Sequence, residues 1–417
     1  MFFKIFRIIF FANLLPLLIL ADASADSNDI TDRFKLSGFG TLGVVSGGDE
    51  ELGFQRDWSR GNSPVFDEDF SVKQDSLLGL QLDARMTDNL KGAVQLIARD
   101  RLDNSLGKSV EWAFLGYDLT PNTRVRAGRM GVDLFMLSEN RNVDFSYLWA
   151  RPPVEFYGPI AFDNFDGMDM THIMPLWDGD LRFKVFGGVS KNNTITGRTG
   201  ESSLDLKPLY GASVIWEDNT WLARISLASG ELDSSNVALQ PLLNYLTLAS
   251  QTGWPEAASI SEDLELSGKS TYYYAAGLAY DNAPWQVQSE VNLIESEYDF
   301  FLPVISAYVS VGHQFGPVTP YFLAALAKNT EDSGSLNSAP SQWTPLQKEL
   351  QGIKDSYELD QKSLSLGFRW DIHYDLALKL QWDHHWVKQG GSLWYQQTGV
   401  EGERTLDTFS LNLNFVF

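Results

Sequence analysis

Between Gly131 and Asp166 the chain gathers two kinds of side chain that rarely share one surface loop. Phe135, Phe145, Tyr147, Trp149, Phe156, Tyr157, Phe162 and Phe165 are interleaved with Asp133, Glu139, Asp144, Glu155, Asp163 and Asp166, and only Arg141 and Arg151 oppose those acids. In water the rings would make an exposed apolar patch. Turned inward against an enclosing wall, they would be buried and the carboxylates would project into the enclosed space. Tyr147, Trp149 and Tyr157 could then form a stacking track for carbohydrate; the simpler reading is that they fasten the segment to the wall.

Other constellations of reactive residues carry little. Of the five histidines, His384 and His385 follow Asp383 directly, but neighbours on a strand point to opposite sides, so only one can meet a partner in an interior. No nucleophile-elbow motif or zinc-ligand spacing is present. Cysteine is absent, which excludes disulfides and thiolate metal sites. The formal charge of −22 and the lack of a glycine-rich phosphate loop after a strand argue against nucleic acid or nucleotide partners. The expectation is a protein with no enzymatic activity, no cofactor and no metal.

The elements that must position these residues are strands. From Thr408 to Phe417 the text alternates without error: Phe409, Leu411, Leu413, Phe415 and Phe417 share one face, and Thr408, Ser410, Asn412 and Asn414 the other. The rhythm recurs at Leu78–Arg85, Leu90–Arg99, Trp285–Leu293, Leu364–Trp370 and Leu376–Asp383. Lysines, arginines and glutamines on the polar face would each cost several kcal/mol in a dry core. They suit a wet interior inside a wall whose outer face meets hydrocarbon. Parity places Lys35, Arg85, Arg99, Arg124, Arg126, Arg182, Lys184, Arg224, Arg369 and Lys379 on inner faces, and Arg129 starts the long aromatic segment.

Short polar turns fall at residues 87–89, 120–122, 177–180, 217–219, 281–284, 316–317 and 373–375, with longer irregular connections between them. Seven short and eight long links join sixteen strands, from about Phe34–Ser46 to Arg404–Phe417. The predicted fold is all-β: one transmembrane antiparallel barrel of about sixteen strands over residues 26–417, wide enough for an aqueous lumen. Trp177, Trp216, Trp221, Trp285, Trp370 and Tyr374 flank the short turns, as girdle residues at headgroup depth do. Two loop stretches, Leu239–Leu248 and Pro345–Ile353, carry helical patterns. The first long loop is acidic (Asp49, Glu50, Glu51, Asp57, Asp67, Glu68, Asp69 against Arg56 and Arg60), which either recruits cations at the mouth or only solubilises it. Ahead of the barrel, Lys4 and Arg7, the apolar run Ile8–Leu20 and the small residues Ala23-Ser24-Ala25 read as a signal peptide cleaved after Ala25.

In strand count, loop rhythm and a terminal aromatic (Phe415 and Phe417), the chain resembles the Gram-negative trimeric porins, whose C-terminal Phe belongs to an assembly signal. Pro152-Pro153-Val154-Glu155-Phe156-Tyr157-Gly158 is similar to the Pro-Glu-Phe-Gly-Gly tip of the loop that narrows the pore in that family, with Val154 and Tyr157 extra. The resemblance implies an inward third loop whose acids (Glu155, Asp163, Asp144 and Asp133) face a basic wall (Lys35, Arg85, Arg99, Arg126 and Arg129) and set up a transverse field. It implies a homotrimer in the bacterial outer membrane, in contact with lipid and lipopolysaccharide, inserted by the barrel-assembly machinery, and passing ions and small hydrophilic solutes by diffusion. Gly38, Gly40 and Gly43 on the first strand would allow close subunit packing. A porin selective for sugars or small anionic nutrients is the alternative; a barrel enzyme or a surface receptor or adhesin lies further off.

Overall fold

The computed structural model describes residues 33–417 apart from 59–62, 68, 102–103, 161, 198–199, 234–239, 333, 356, 389–392 and 397–401. The expected signal peptide, residues 1–25, lies outside the described residues, as do Arg60 and Glu68 of the first loop. Leu36–Phe417 forms one compact unit; of the preceding unit only the last three residues are described.

Among the described residues sixteen long strands close on themselves. The first half comprises β1 (Phe34–Gly47), β2 (Leu77–Arg85), β3 (Leu90–Arg99), β4 (Val110–Thr120), β5 (Thr123–Gly131), β6 (Asn164–Leu176), β7 (Gly179–Gly197) and β8 (Gly200–Glu217). The second comprises β9 (Trp221–Asp233), β10 (Ser270–Asn282), β11 (Trp285–Ser296), β12 (Val304–His313), β13 (Val318–Asn329), β14 (Asp360–His373), β15 (Leu376–Val387) and β16 (Arg404–Val416). Each pairs antiparallel with the next, and β1 closes the ring against β16 from Phe39 opposite Val416 to Gly47 opposite Thr408. All seven short turns fall where the sequence predicts them. Closure leaves no unpaired edge, which a bilayer demands. No described helix is long and apolar enough to cross a membrane.

Alternation sets the two faces. On β16 Phe409 and Leu411 are 57% and 42% exposed, whereas Thr408, Ser410 and Asn412 between and beside them are buried to 1% or less. Leu366, Leu380, Ile225 and Phe322 are exposed on the same outer surface. Trp177, Trp221, Trp285, Trp370 and Tyr374 stand exposed around the short-turn end, with Trp177 against Trp216 and Trp221 against Tyr280. That is an outer face for lipid with an aromatic rim.

The glycines of β1 serve the barrel's own closure. A Cβ at Gly38 would lie 2.2 Å from the Phe417 ring and one at Gly40 2.5 Å from that of Phe415, so the two rings lie across positions that no side chain could share. Gly43 meets Asp75 and Asn412 on the inside. Their smallness is spent within the chain, which corrects the expectation of close subunit packing there.

The apolar core sits inside the barrel. Phe135, Trp149, Phe156 and Tyr157 of the third loop pack with Tyr308 and Tyr321 of the wall in one buried cluster. Each such ring, taken out of water, contributes about 1.5–3 kcal/mol. The predicted loop helices are present at Gln240–Gln251 and Thr344–Asp355; a further one, Ala257–Asp263, packs on the first and was not anticipated.

Candidate functional site

The connection between β5 and β6 enters the barrel, as the alternating rings and acids predict, and it is tied to nearly every side. Trp149 donates its indole N–H to Ser310 on β12 (2.6 Å), and the amide of Ala150 reaches Gln381 Oε1 on β15 (3.0 Å). Lys379 on β15, wholly buried, donates to three carbonyls of the loop: Asp144 (2.5 Å), Tyr147 (2.5 Å) and Trp149 (2.8 Å). Arg369 on β14 donates to the carbonyls of Phe145 and Tyr147, and Asn412 on β16 to that of Ala150. A loop lacking its own ladder leaves its carbonyls unpaired, and inward-facing side chains of the wall satisfy them.

Arg151 is the central fastener. Its guanidinium, 1% exposed, binds Asp383 (2.5 Å), Asp75 (3.4 Å), Thr408 (2.8 Å) and Ser410, and lies 4.3 Å over the ring of Phe54. On the opposite side Tyr157 donates to Glu290 of β11 (2.6 Å), which also accepts from Tyr308 and from the amide of Met136.

The four acids expected to line the constriction are engaged in this fastening. Asp144 binds Arg56 (3.2 Å), Thr41 (2.9 Å) and Tyr147. Glu155 accepts from Gln361 (2.7 Å) and lies 3.3 Å from His385. Although burial works to raise its pKa, His385 and Gln361 outweigh burial and hold its carboxyl below the usual range. Asp163 pairs with Arg99 and Arg141. Asp133 binds Arg224 (2.9 Å), Lys184 (3.6 Å) and Ser213 (2.7 Å). Burial pushes that carboxyl up, but the two cations and the Ser213 hydroxyl win and set it at about 2. None of the four projects freely into water: a charge buried beside a cation is far cheaper than one buried alone, and the loop is close enough to the wall to pair. Tyr147, Trp149 and Tyr157 are likewise buried to 5% exposure or less, so their faces are not open to a sugar; they fasten the loop.

The basic set divides. Arg99 is at the loop, bound to Asp163 and Asn142. Arg126 is on the inner face of β5, bound bidentately to Asp169. Lys35 and Arg85 are exposed at the short-turn end, away from the loop. Arg129 is misassigned by the sequence reading: buried Met130 continues the inner face of β5, and Arg129 points the other way, to Asp166, which has the parity of the exposed Met168 and Met170. Of the histidines, His385 faces inward to Glu155 and His384 outward to Asp407, as alternation requires.

The loop lies against β12–β16, where the inner-face residues Ser306, Ser365, Thr408 and Asn412 are buried to 2% or less. Open space remains on the other side. A cavity of about 440 Å³ toward the short-turn end is bounded by β4 to β9 and the loop's Asp133, Met136, Ser138 and Glu139. Five cations line it (Arg124, Arg126, Arg182, Lys184, Arg224) and four carboxylates (Asp118, Asp133, Glu139, Glu217). Arg124 and Arg182, half-exposed, pair with Asp118 (2.5 Å) and Glu217 (2.6 Å). Toward the long-loop end lies a second cavity of about 170 Å³, apolar, with Leu134 in its wall. Between the two, Asp133 and Leu134 are held to β8 and β9 by Ser213, Arg224 and Ser226.

Sequence reasoning had Arg124, Arg182, Lys184 and Arg224 on inner faces but not gathered at one chamber, and it gave no role to Asp75, Asp169 or Glu290. Parity was the available signal for the strand residues: an inward carboxylate on a wall facing an inward loop is a fastening point.

The architecture thus defined is a closed sixteen-stranded barrel with its third loop inside, the porin fold. No family model and no curated protein matches the chain in sequence. Solved structures do match in fold: the outer membrane channel DcaP of Acinetobacter baumannii (TM-score 0.56, 12% identity, 95% of this chain and 100% of that one) and the anion-selective porin from Comamonas acidovorans (0.53, 13%, 92% and 99%). A third is OmpF of Salmonella typhi in complex with daunomycin (0.53, 12%, 92% and 97%).

Proposed function

We propose that this chain is an outer-membrane channel through which ions and small hydrophilic solutes diffuse passively, by way of the charged chamber walled by β4 to β9. The observation that carries the reading is the charged chamber of about 440 Å³ inside a barrel whose exterior suits lipid. Nine ionisable groups around one space belong where water enters. Near-balanced charge makes the selectivity of the wild type weak, and the half-exposed Arg124 and Arg182 are the cations most open to a passing solute. With the resemblance to trimeric porins goes a homotrimer, with Phe417 as part of the assembly signal.

The test is conductance in planar bilayers under a salt gradient. Arg124→Gln with Arg182→Gln leaves Glu217 without its cation and Asp118 with Lys91 alone, so the reversal potential shifts toward cation selectivity because the low-dielectric walls focus the field. A barrel that passes no current, or an unchanged reversal potential in a conducting variant, removes this chamber from the route.

A further inference from the structure

We infer that the cavity at the long-loop end is a binding site for a small amphipathic organic molecule, one with a ring-sized apolar body and a single polar end. This goes beyond diffusion of hydrophilic solutes and does not require that the barrel conduct.

The lining is the first observation. Leu206 and Leu209 of β8, Leu232 of β9 and Ile294 of β11 turn inward here, where the same strands carry Ser213, Arg224 and Glu290 nearer the short turns. With Leu134 and Phe301, these make an apolar cup. A water-filled diffusion path has no use for such a surface, since apolar walls bind neither water nor ions. An apolar cavity of about 150 Å³ accommodates a benzene-sized molecule, and this one measures about 170 Å³. That size admits one ring or a short branched chain and excludes a peptide strand or a lipid tail pair.

The second observation lies at the floor. Tyr273 lines the cavity, is 6% exposed, and its hydroxyl lies beside the Asn292 amide without closing a hydrogen bond within 3.5 Å. Neither amide atom of Asn292 has one either, and Asn292 lies one inner-face position nearer the short-turn end than Ile294, the residue paired with Tyr273. Buried donors and acceptors without partners cost about 1–3 kcal/mol each. A hydroxyl or carbonyl at the inner end of a bound molecule would recover that loss, so the apolar cup and the polar floor select the same kind of ligand.

The probe is 4-bromobenzyl alcohol, with 4-bromotoluene as its counterpart lacking the polar end, measured by equilibrium dialysis on protein in lipid nanodiscs against empty nanodiscs. Saturable uptake near one molecule per chain is expected. Ala228→Phe fills the cavity from β9 and lowers affinity at least tenfold; Thr271→Phe, at the half-buried rim, does the same should the first variant not assemble. Tyr273→Phe weakens the alcohol about three- to tenfold and leaves 4-bromotoluene unaffected. Uptake no greater than that of empty nanodiscs, or undiminished in the filled variants, overturns the site; equal losses for both probes with Tyr273→Phe overturn the polar floor.

Discussion

Asp133 shows how far a single side chain can be read. Its acid character and its place at the head of the loop are plain in the sequence; its partners are not, because they come from β7, β8 and β9 and depend on the path the loop takes. In the folded chain its pKa is about 2, against an ordinary 3.8. A depressed carboxylate contributes stability that is complete above the unfolded value and is lost as pH falls through the folded one. The difference in thermal stability between wild type and Asp133→Asn is therefore expected to hold constant from neutrality to about pH 4 and to close toward pH 2; a gap already closing at pH 5 contradicts the pairing. Parity served well for residues within strands, so that Arg99, Arg126 and Lys379 face inward as read. Depth along the strand was less legible: Lys35 and Arg85 share the inner face but sit at the short-turn end, away from the loop. Arg129 was assigned by its nearness to the loop, and alternation alone would have turned it outward.

The third loop is the element that occupies the inside of the barrel. Its inward course was legible because rings and carboxylates in such density cannot all face water. Its role was only half legible, since projection into an open lumen and fastening to a wall demand the same residues. The distances decide for fastening, and Arg151 bears much of it. Arg151→Ala leaves Asp383 buried without its cation and Asp75 with Arg56 alone, a change that costs about 3–5 kcal/mol. The variant is expected to unfold at lower temperature and, with its loop loosened, to give larger and noisier current steps; wild-type stability would show that the cluster tolerates its unpaired acids. The seven short turns were readable from Gly, Pro, Asn and Asp chemistry alone. The helix at Ala257–Asp263 was not, because two buried residues three apart, Ala257 and Ile260, make too short a pattern.

At the scale of the molecule, a period of two repeated round a ring separates what meets lipid from what meets the interior. Leu411 and Asn412 are neighbours on β16 with opposite fates, one 42% exposed outside and the other fully buried inside. Leu411→Arg would place a cation on the lipid face, with an expected loss of about 2–4 kcal/mol near the bilayer midplane, read from the denaturant dependence of unfolding in lipid vesicles. Strand number and closure were legible because each strand repeats the same rhythm; which side of the lumen stays open was not, because that depends on where one loop leans. The lack of cysteine makes that question directly measurable. Single cysteines at Thr171, in the charged chamber, and at Ser365, on the wall behind the loop, are exposed to a bulky thiol reagent during single-channel recording. A stepwise fall in current is expected for Thr171→Cys and none for Ser365→Cys; a fall at Ser365→Cys with none at Thr171→Cys would place the open side behind the loop instead.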